Sequence, residues 1–135
     1  AQPDVLAHNL ETVASLQKQV RPQCRYEWSL ETLATAAKSD SVIVKSGLML
    51  GLGEKRDEVI LAMRDLVKAG CQILSMRQYL RPTPAHTEVV EFIHPDRFLE
   101  YKTIGESLGL KHIEAGPLAR SSYLADQQAR AVGLA

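Results

Sequence analysis

Val42-Ile43-Val44-Lys45-Ser46-Gly47-Leu48-Met49-Leu50 runs directly into Gly51-Leu52-Gly53-Glu54, and this junction decides the fold. The first segment is apolar but for one charge, Lys45, and reads as a strand. Beyond the glycine turn, Val59, Ile60, Met63, Leu66 and Val67 form the apolar stripe of a helix, which Gly70 closes. Downstream, Ile73-Leu74-Ser75-Met76 is a second strand of this kind, passing through Arg77-Gln78-Tyr79-Leu80 into a loop at Arg81-Pro82-Thr83-Pro84. His94-Pro95-Asp96 opens a helix with Pro at its first position, carrying Phe98, Tyr101 and Leu108 on one face and stopping at Gly109. Lys111 to Ala115 is a last short strand, turned by Gly116-Pro117.

Upstream, Pro3 to Ala7 is a short apolar run. Leu10, Val13, Leu16 and Val20 then share a helical face that Arg21-Pro22 ends. A further helix is expected from Ser29, as N-cap, through Leu30, Leu33, Ala34 and Ala37. Strands alternating with helices build a parallel sheet covered by helices, with right-handed crossovers. Four such strands are too few for an eight-stranded barrel, so they form an open sheet or half of a barrel.

The 135 residues suit one domain, and 45% hydrophobic with 24% charged residues is a globular composition. Sixteen basic and sixteen acidic residues cancel, which removes the basic footprint of a nucleic-acid binder. Charges interrupt every apolar stretch before it reaches membrane-spanning length. The start, Ala1-Gln2-Pro3-Asp4, reads as a cut inside a longer chain. Cys24 and Cys71 read as free thiols, and two cysteines fall short of a zinc or iron–sulfur ligand set.

Ligands bind parallel α/β sheets at the C-terminal edges of the strands. Four polar groups fall at such edges: His8-Asn9 with Glu11, Gly51-Leu52-Gly53-Glu54, Gln78-Tyr79, and Arg120-Ser121-Ser122-Tyr123. The Gly-x-Gly-Glu turn admits a close backbone approach, but Arg56 stands where a dinucleotide fingerprint needs its third glycine. Beside a helix start, His8 reads more readily as a structural partner than as a ligand. A lysine inside an apolar strand needs a counter-charge, so Lys45 is expected to reach an acidic group, Glu54 for example, or an anionic ligand. Ser121 and Ser122 lack an adjacent histidine, since His112 belongs to the preceding strand, which disfavours a hydrolytic triad. His86 and His94 read as loop and helix-start residues.

Several of these segments together resemble lipoyl synthases. They are Pro3-Asp4-Val5 with His8-Asn9-Leu10-Glu11-Thr12, Lys45-Ser46-Gly47-Leu48-Met49-Leu50-Gly51-Leu52-Gly53-Glu54, Gln78-Tyr79-Leu80-Arg81-Pro82, and Gly116-Pro117-Leu118-Ala119-Arg120-Ser121-Ser122-Tyr123. They occur in order along nearly the whole chain. The resemblance implies the C-terminal half of a partial (β/α) barrel of the radical S-adenosylmethionine type over residues 1–118, with residues 119–135 a tail carrying the Arg-Ser-Ser-Tyr motif. It implies an enzyme that cleaves S-adenosylmethionine at one 4Fe–4S cluster to a 5′-deoxyadenosyl radical. The radical abstracts hydrogen at C6 and C8 of a protein-bound octanoyl chain, and a second 4Fe–4S cluster supplies the sulfur.

The same resemblance makes a serine the ligand of that second cluster: by position Ser121, with Ser122 the alternative. It lines the S-adenosylmethionine and octanoyl pocket with His8, Asn9, Glu11, Lys45, Gly51, Gly53, Glu54, Gln78 and Arg120. The implied partners are an octanoylated lipoyl carrier domain (a dehydrogenase E2 or the glycine-cleavage H protein) and an electron donor such as flavodoxin or ferredoxin, in a bacterial cytoplasm or an organelle, with no nucleic acid and no membrane. Arg77 and Ala119 depart from the residues usual in the family. The C-x3-C-x2-C motif and the auxiliary-cluster cysteines are absent from this chain, so by itself it is expected to be inactive. Two other readings stand beside this one: an α/β barrel that grips phosphate with the Gly51–Glu54 turn and the Arg120–Ser122 segment, and a non-catalytic module that docks the carrier protein.

Overall fold

The computed structural model describes residues 4–118. Four strands, β1 (Asp4–Ala7), β2 (Val42–Leu50), β3 (Ile73–Gln78) and β4 (His112–Ala115), form one sheet in the order β1-β2-β3-β4, and every pairing is parallel. A 3₁₀ turn (Ala14–Leu16) and helices α1 (Gln17–Val20) and α2 (Tyr26–Ala37) connect β1 to β2. Helix α3 (Arg56–Lys68) connects β2 to β3, and α4 (Pro95–Leu108) connects β3 to β4. The expected parallel α/β sheet with covering helices is therefore present as four adjacent strands.

Alternation along the strands sorts the two faces. Val44, Leu48 and Leu50 of β2, Leu74 and Met76 of β3 and Ile113 of β4 join Leu33, Met63, Leu66 and Phe98 from the helices in one buried core. The other face carries Ile43, Lys45, Gly47 and Met49, then Ile73, Ser75 and Arg77, then His112 and Glu114, in the rows set by the strand register. Strand β1 lies at an edge of the sheet and is exposed throughout, with Val5 43% and Leu6 37% accessible.

The strand over 42–50 and the helix opening at Pro95 fall where the sequence places them. His94 caps that helix by accepting the N–H of Asp96 at 3.1 Å. Three boundaries differ. No helix starts at Leu10, because Glu11 takes a left-handed φ of 72° and bridges to Leu48 of β2, so the chain still follows the sheet there. Ser29 is no N-cap: α2 begins at Tyr26, whose buried ring and 2.7 Å hydroxyl bond to Asp65 of α3 anchor an extra turn. Strand β3 runs on to Gln78, since pairing with Met49 and Leu50 continues past Met76.

Candidate functional site

The C-terminal edges of the parallel strands bring residues far apart in sequence to one rim. Past β1 the chain stays on the sheet, with the N–H of His8 donating to the Lys45 carbonyl at 3.0 Å and that of Glu11 to the Gly47 carbonyl at 2.8 Å. Asn9 lies over Gly47, where any Cβ would stand 2.8 Å from the Asn9 Oδ1. Gly47 thus makes room for that amide. Glu11 is the one non-glycine residue among those described with a positive φ, a disfavoured conformation that persists only where its surroundings fix it.

Glu11 borders an open cleft of about 760 Å³. Arg21, Met49, Arg77, Tyr79, Leu80 and His86 contribute to its wall, with Leu118 at the mouth. Between the cleft and the sheet is a notch of about 10 Å³, lined by Asn9, Glu11, Gly47, Ser75 and Arg77. The hydroxyl of Ser75 is buried there, and no hydrogen-bond partner for it exists among the described residues. A buried hydroxyl left unpaired is costly, which marks the notch as a place where a polar ligand atom or a water completes the structure. Glu11, Asn9, Ser75 and Arg77 are the chemistry-bearing side chains of this corner.

The remaining residues singled out from the sequence have other engagements. His8 donates or accepts at 3.1 Å with Ser29 of α2; burial, reinforced by the nearby Arg21, holds its pKa below the ordinary 6.5. The Glu54 carboxylate folds back on its own turn, accepting the N–H of Gly51 at 3.0 Å and that of Leu52 at 2.9 Å. This occupies two of the backbone N–H groups that a phosphate at the Gly51–Glu54 turn would use. It also removes Glu54 as the counter-charge of Lys45. The Lys45 ammonium feels Glu114 of β4 instead, while burial pulls its pKa down. Gln78 borders the cleft, but its amide is tied to the loop before α4. It donates to the carbonyls of Tyr79 and Glu91 at 3.0 Å each and accepts the Ile93 N–H at 2.8 Å. Arg120, Ser121 and Ser122 lie outside the described residues.

Sequence reasoning passed over Met49, Ser75 and Arg21. The signal for the first two was parity: both share the face of Lys45 and Gly47, opposite the apolar core. Arg21 gave no signal beyond ending a helical pattern. Among the described residues no three His, Cys, Asp or Glu side chains come together to hold a metal ion. The Cys71 thiol is buried against the Ile73 carbonyl with its pKa pushed up to about 12, and Cys24 touches Ser29. These residues do not fit an iron–sulfur ligand set.

No family profile matches the chain. Among curated proteins, it is 51% identical over 125 residues to a lipoyl synthase of Nocardia farcinica, covering 93% of this chain and 35% of that protein. It is 50% identical over 125 residues to the lipoyl synthase of Frankia alni, covering 93% of this chain and 38% of the relative. For the lipoyl synthase of Chlorobium phaeobacteroides the values are 45% over 124 residues, 92% and 43%. The chain thus spans well under half the length of these relatives. With about half of its residues identical to theirs over nearly its whole length, the chain is similar to one part of these lipoyl synthases.

Proposed function

We propose that this chain forms one wall of the S-adenosylmethionine and octanoyl cavity of a lipoyl synthase that inserts sulfur at C6 and C8 of an octanoyl chain carried on a lipoyl domain. The observation that carries the reading is the cleft at the C-terminal rim, with Glu11, Asn9, Ser75 and Arg77 beside it, in a chain half identical to lipoyl synthases. Its residues fit S-adenosylmethionine: the unpartnered Ser75 hydroxyl and the Asn9 amide suit polar atoms, Glu11 suits a hydroxyl or ammonium, and Arg77 suits a carboxylate. Bound with a reducing 4Fe–4S cluster, that cofactor supplies the hydrogen-abstracting chemistry, and a second cluster the sulfur.

The roles left to this chain are binding and exclusion of water. The fixed φ of Glu11 holds its carboxylate at the cleft, so little ordering remains to be done when ligand arrives. Met49, Leu80 and Pro82 give an apolar wall for an alkyl chain. Ser121, with Ser122 as alternative, is assigned by family pattern as ligand of the second cluster, in a tail that starts after residue 118. The partners we assign are the octanoylated E2 or H-protein domain and a flavodoxin- or ferredoxin-type donor, in the cytoplasm. No helix among the described residues is long and apolar enough to cross a membrane.

The test is the full-length protein, with reconstituted clusters and a reductant, acting on an octanoylated carrier domain. Mass spectrometry should show two sulfurs gained, and none with Ser121→Ala. Glu11→Gln should weaken S-adenosylmethionine binding about tenfold or more, as expected for losing a charge-assisted hydrogen bond. Neither sulfur insertion nor S-adenosylmethionine binding in the intact protein would overturn the reading. Carrier binding alone would then favour a docking module.

A further inference from the structure

The segment 8–12 is held by side chains to which the proposed function gives no ligand-binding role, among them Arg21, which also borders the cleft. Arg21 Nη1 donates to the carbonyls of Asn9 at 2.9 Å and Leu10 at 3.2 Å. The Gln17 amide donates to the carbonyls of Leu10 at 2.7 Å and Thr12 at 2.9 Å. Ser46 Oγ accepts the Leu10 N–H at 3.0 Å, and His8 meets the buried Ser29 hydroxyl at 3.1 Å, itself 3.5 Å from Arg21. Met49 N–H donates to the Glu11 carbonyl at 2.8 Å. The carbonyls of Asn9, Leu10, Glu11 and Thr12 and the N–H groups of Leu10 and Glu11 are therefore engaged by Gln17 of α1, by Arg21 just after it, or by β2.

We infer that Arg21 and Gln17, backed by the Ser29–His8 pair, are positioning residues: a brace that fixes Glu11 in its left-handed conformation and so aims its carboxylate at the cleft. A glutamate at φ 72° relaxes to the right-handed or extended region when released. The bonds to the carbonyls on either side of it oppose that rotation. Arg21 suits this work because one guanidinium nitrogen reaches two successive carbonyls, a geometry the planar fork holds without a carboxylate partner. The consequence for ligand affinity rests on the proposed cleft function; the brace itself does not.

Two measurements on the full-length protein separate these levels. Hydrogen exchange needs no ligand. In Arg21→Gln the amides of Leu10, Glu11 and Met49 should exchange roughly tenfold faster or more, while those of Leu74 and Met76 in β3 keep their protection, a local opening rather than a global one. Ser29→Ala, which leaves a small buried side chain in the helix, should give the same pattern in weaker form, and Arg21→Lys should restore part of it. Unchanged exchange at the turn, or equal acceleration in β3, overturns the brace. Calorimetric titration with S-adenosylmethionine then tests the coupling: Arg21→Gln weakens binding with Glu11 in place and has no further effect in a Glu11→Gln background. Additive losses overturn the positioning role. If Glu11→Gln leaves the affinity unchanged, the cleft assignment fails and the exchange result alone decides the brace.

Discussion

Replacing Gly51 by alanine, with Gly53→Ala as its control, tests how the rim is built. Both glycines sit at nearly the same left-handed backbone angle, φ 101° and 103°, so a Cβ at either position carries the same backbone cost, about 1–2 kcal/mol or somewhat more. Their surroundings differ. At Gly53 the new methyl meets only the Val90 methyls at 3.8 and 3.9 Å, ordinary contact. At Gly51 it would overlap the Gln78 Nε2 and the Glu91 backbone carbonyl, the two atoms that bond each other at 3.0 Å to tie β3 to the loop before α4. Moving them costs about 1–3 kcal/mol of overpacking and about 0.5–1.5 kcal/mol for a weakened hydrogen bond. Gly51→Ala should therefore destabilise by roughly 3–5 kcal/mol, and Gly53→Ala by about 1–2. Urea unfolding followed by circular dichroism reads the difference. With a slope of about 2 kcal/mol per molar, the midpoints should separate by about 1 M or more. Equal midpoints for the two variants would refute the clash and leave only the shared backbone term.

Three further outcomes are expected. With its folded-state pKa held below 6.5, His8 takes up its proton later than in the unfolded chain, so stability present above that pH is lost as pH falls through 6.5 toward the lower folded value; His8→Gln should flatten this part of the stability–pH curve, and an unaltered curve would rule His8 out as its source. Cys24 should react with a thiol reagent at pH 8 in the native state while Cys71, buried and with a pKa of about 12, reacts only on unfolding, which labelling with mass spectrometry checks. Because β1 leaves Val5 and Leu6 exposed on an edge strand, the 135-residue chain by itself should associate in sedimentation velocity, and a monodisperse monomer with a sharp cooperative melt would contradict this.

The rim was legible in sequence because alternating β and α segments dictate parallel strands, and parallel strands place their C-terminal turns on one side whatever the details. That placed Asn9, Glu11 and Gln78 near a common edge. Local pattern also marked β2, α3 and α4, where apolar period, proline and glycine agree. It misplaced the start of α2, since the anchor that extends it to Tyr26 is Asp65, thirty-nine residues away. It read a helix from Leu10 onward because the apolar spacing there is helical, while the β2 backbone captures Glu11 instead. Family likeness grouped Glu54, Gln78 and His8 with the ligand pocket; in the fold Glu54 accepts backbone N–H groups of its own turn, Gln78 bonds the backbone of Tyr79, Glu91 and Ile93, and His8 meets Ser29.

What the sequence by itself determined is therefore the class of the fold, the order of its elements and a likeness to part of the lipoyl synthases, all carried by short-range period and by motif. The tertiary structure alone decided which polar groups are free to meet a ligand. A side chain's availability depends on what else lies within about 3 Å of it, and those neighbours come from other strands and helices.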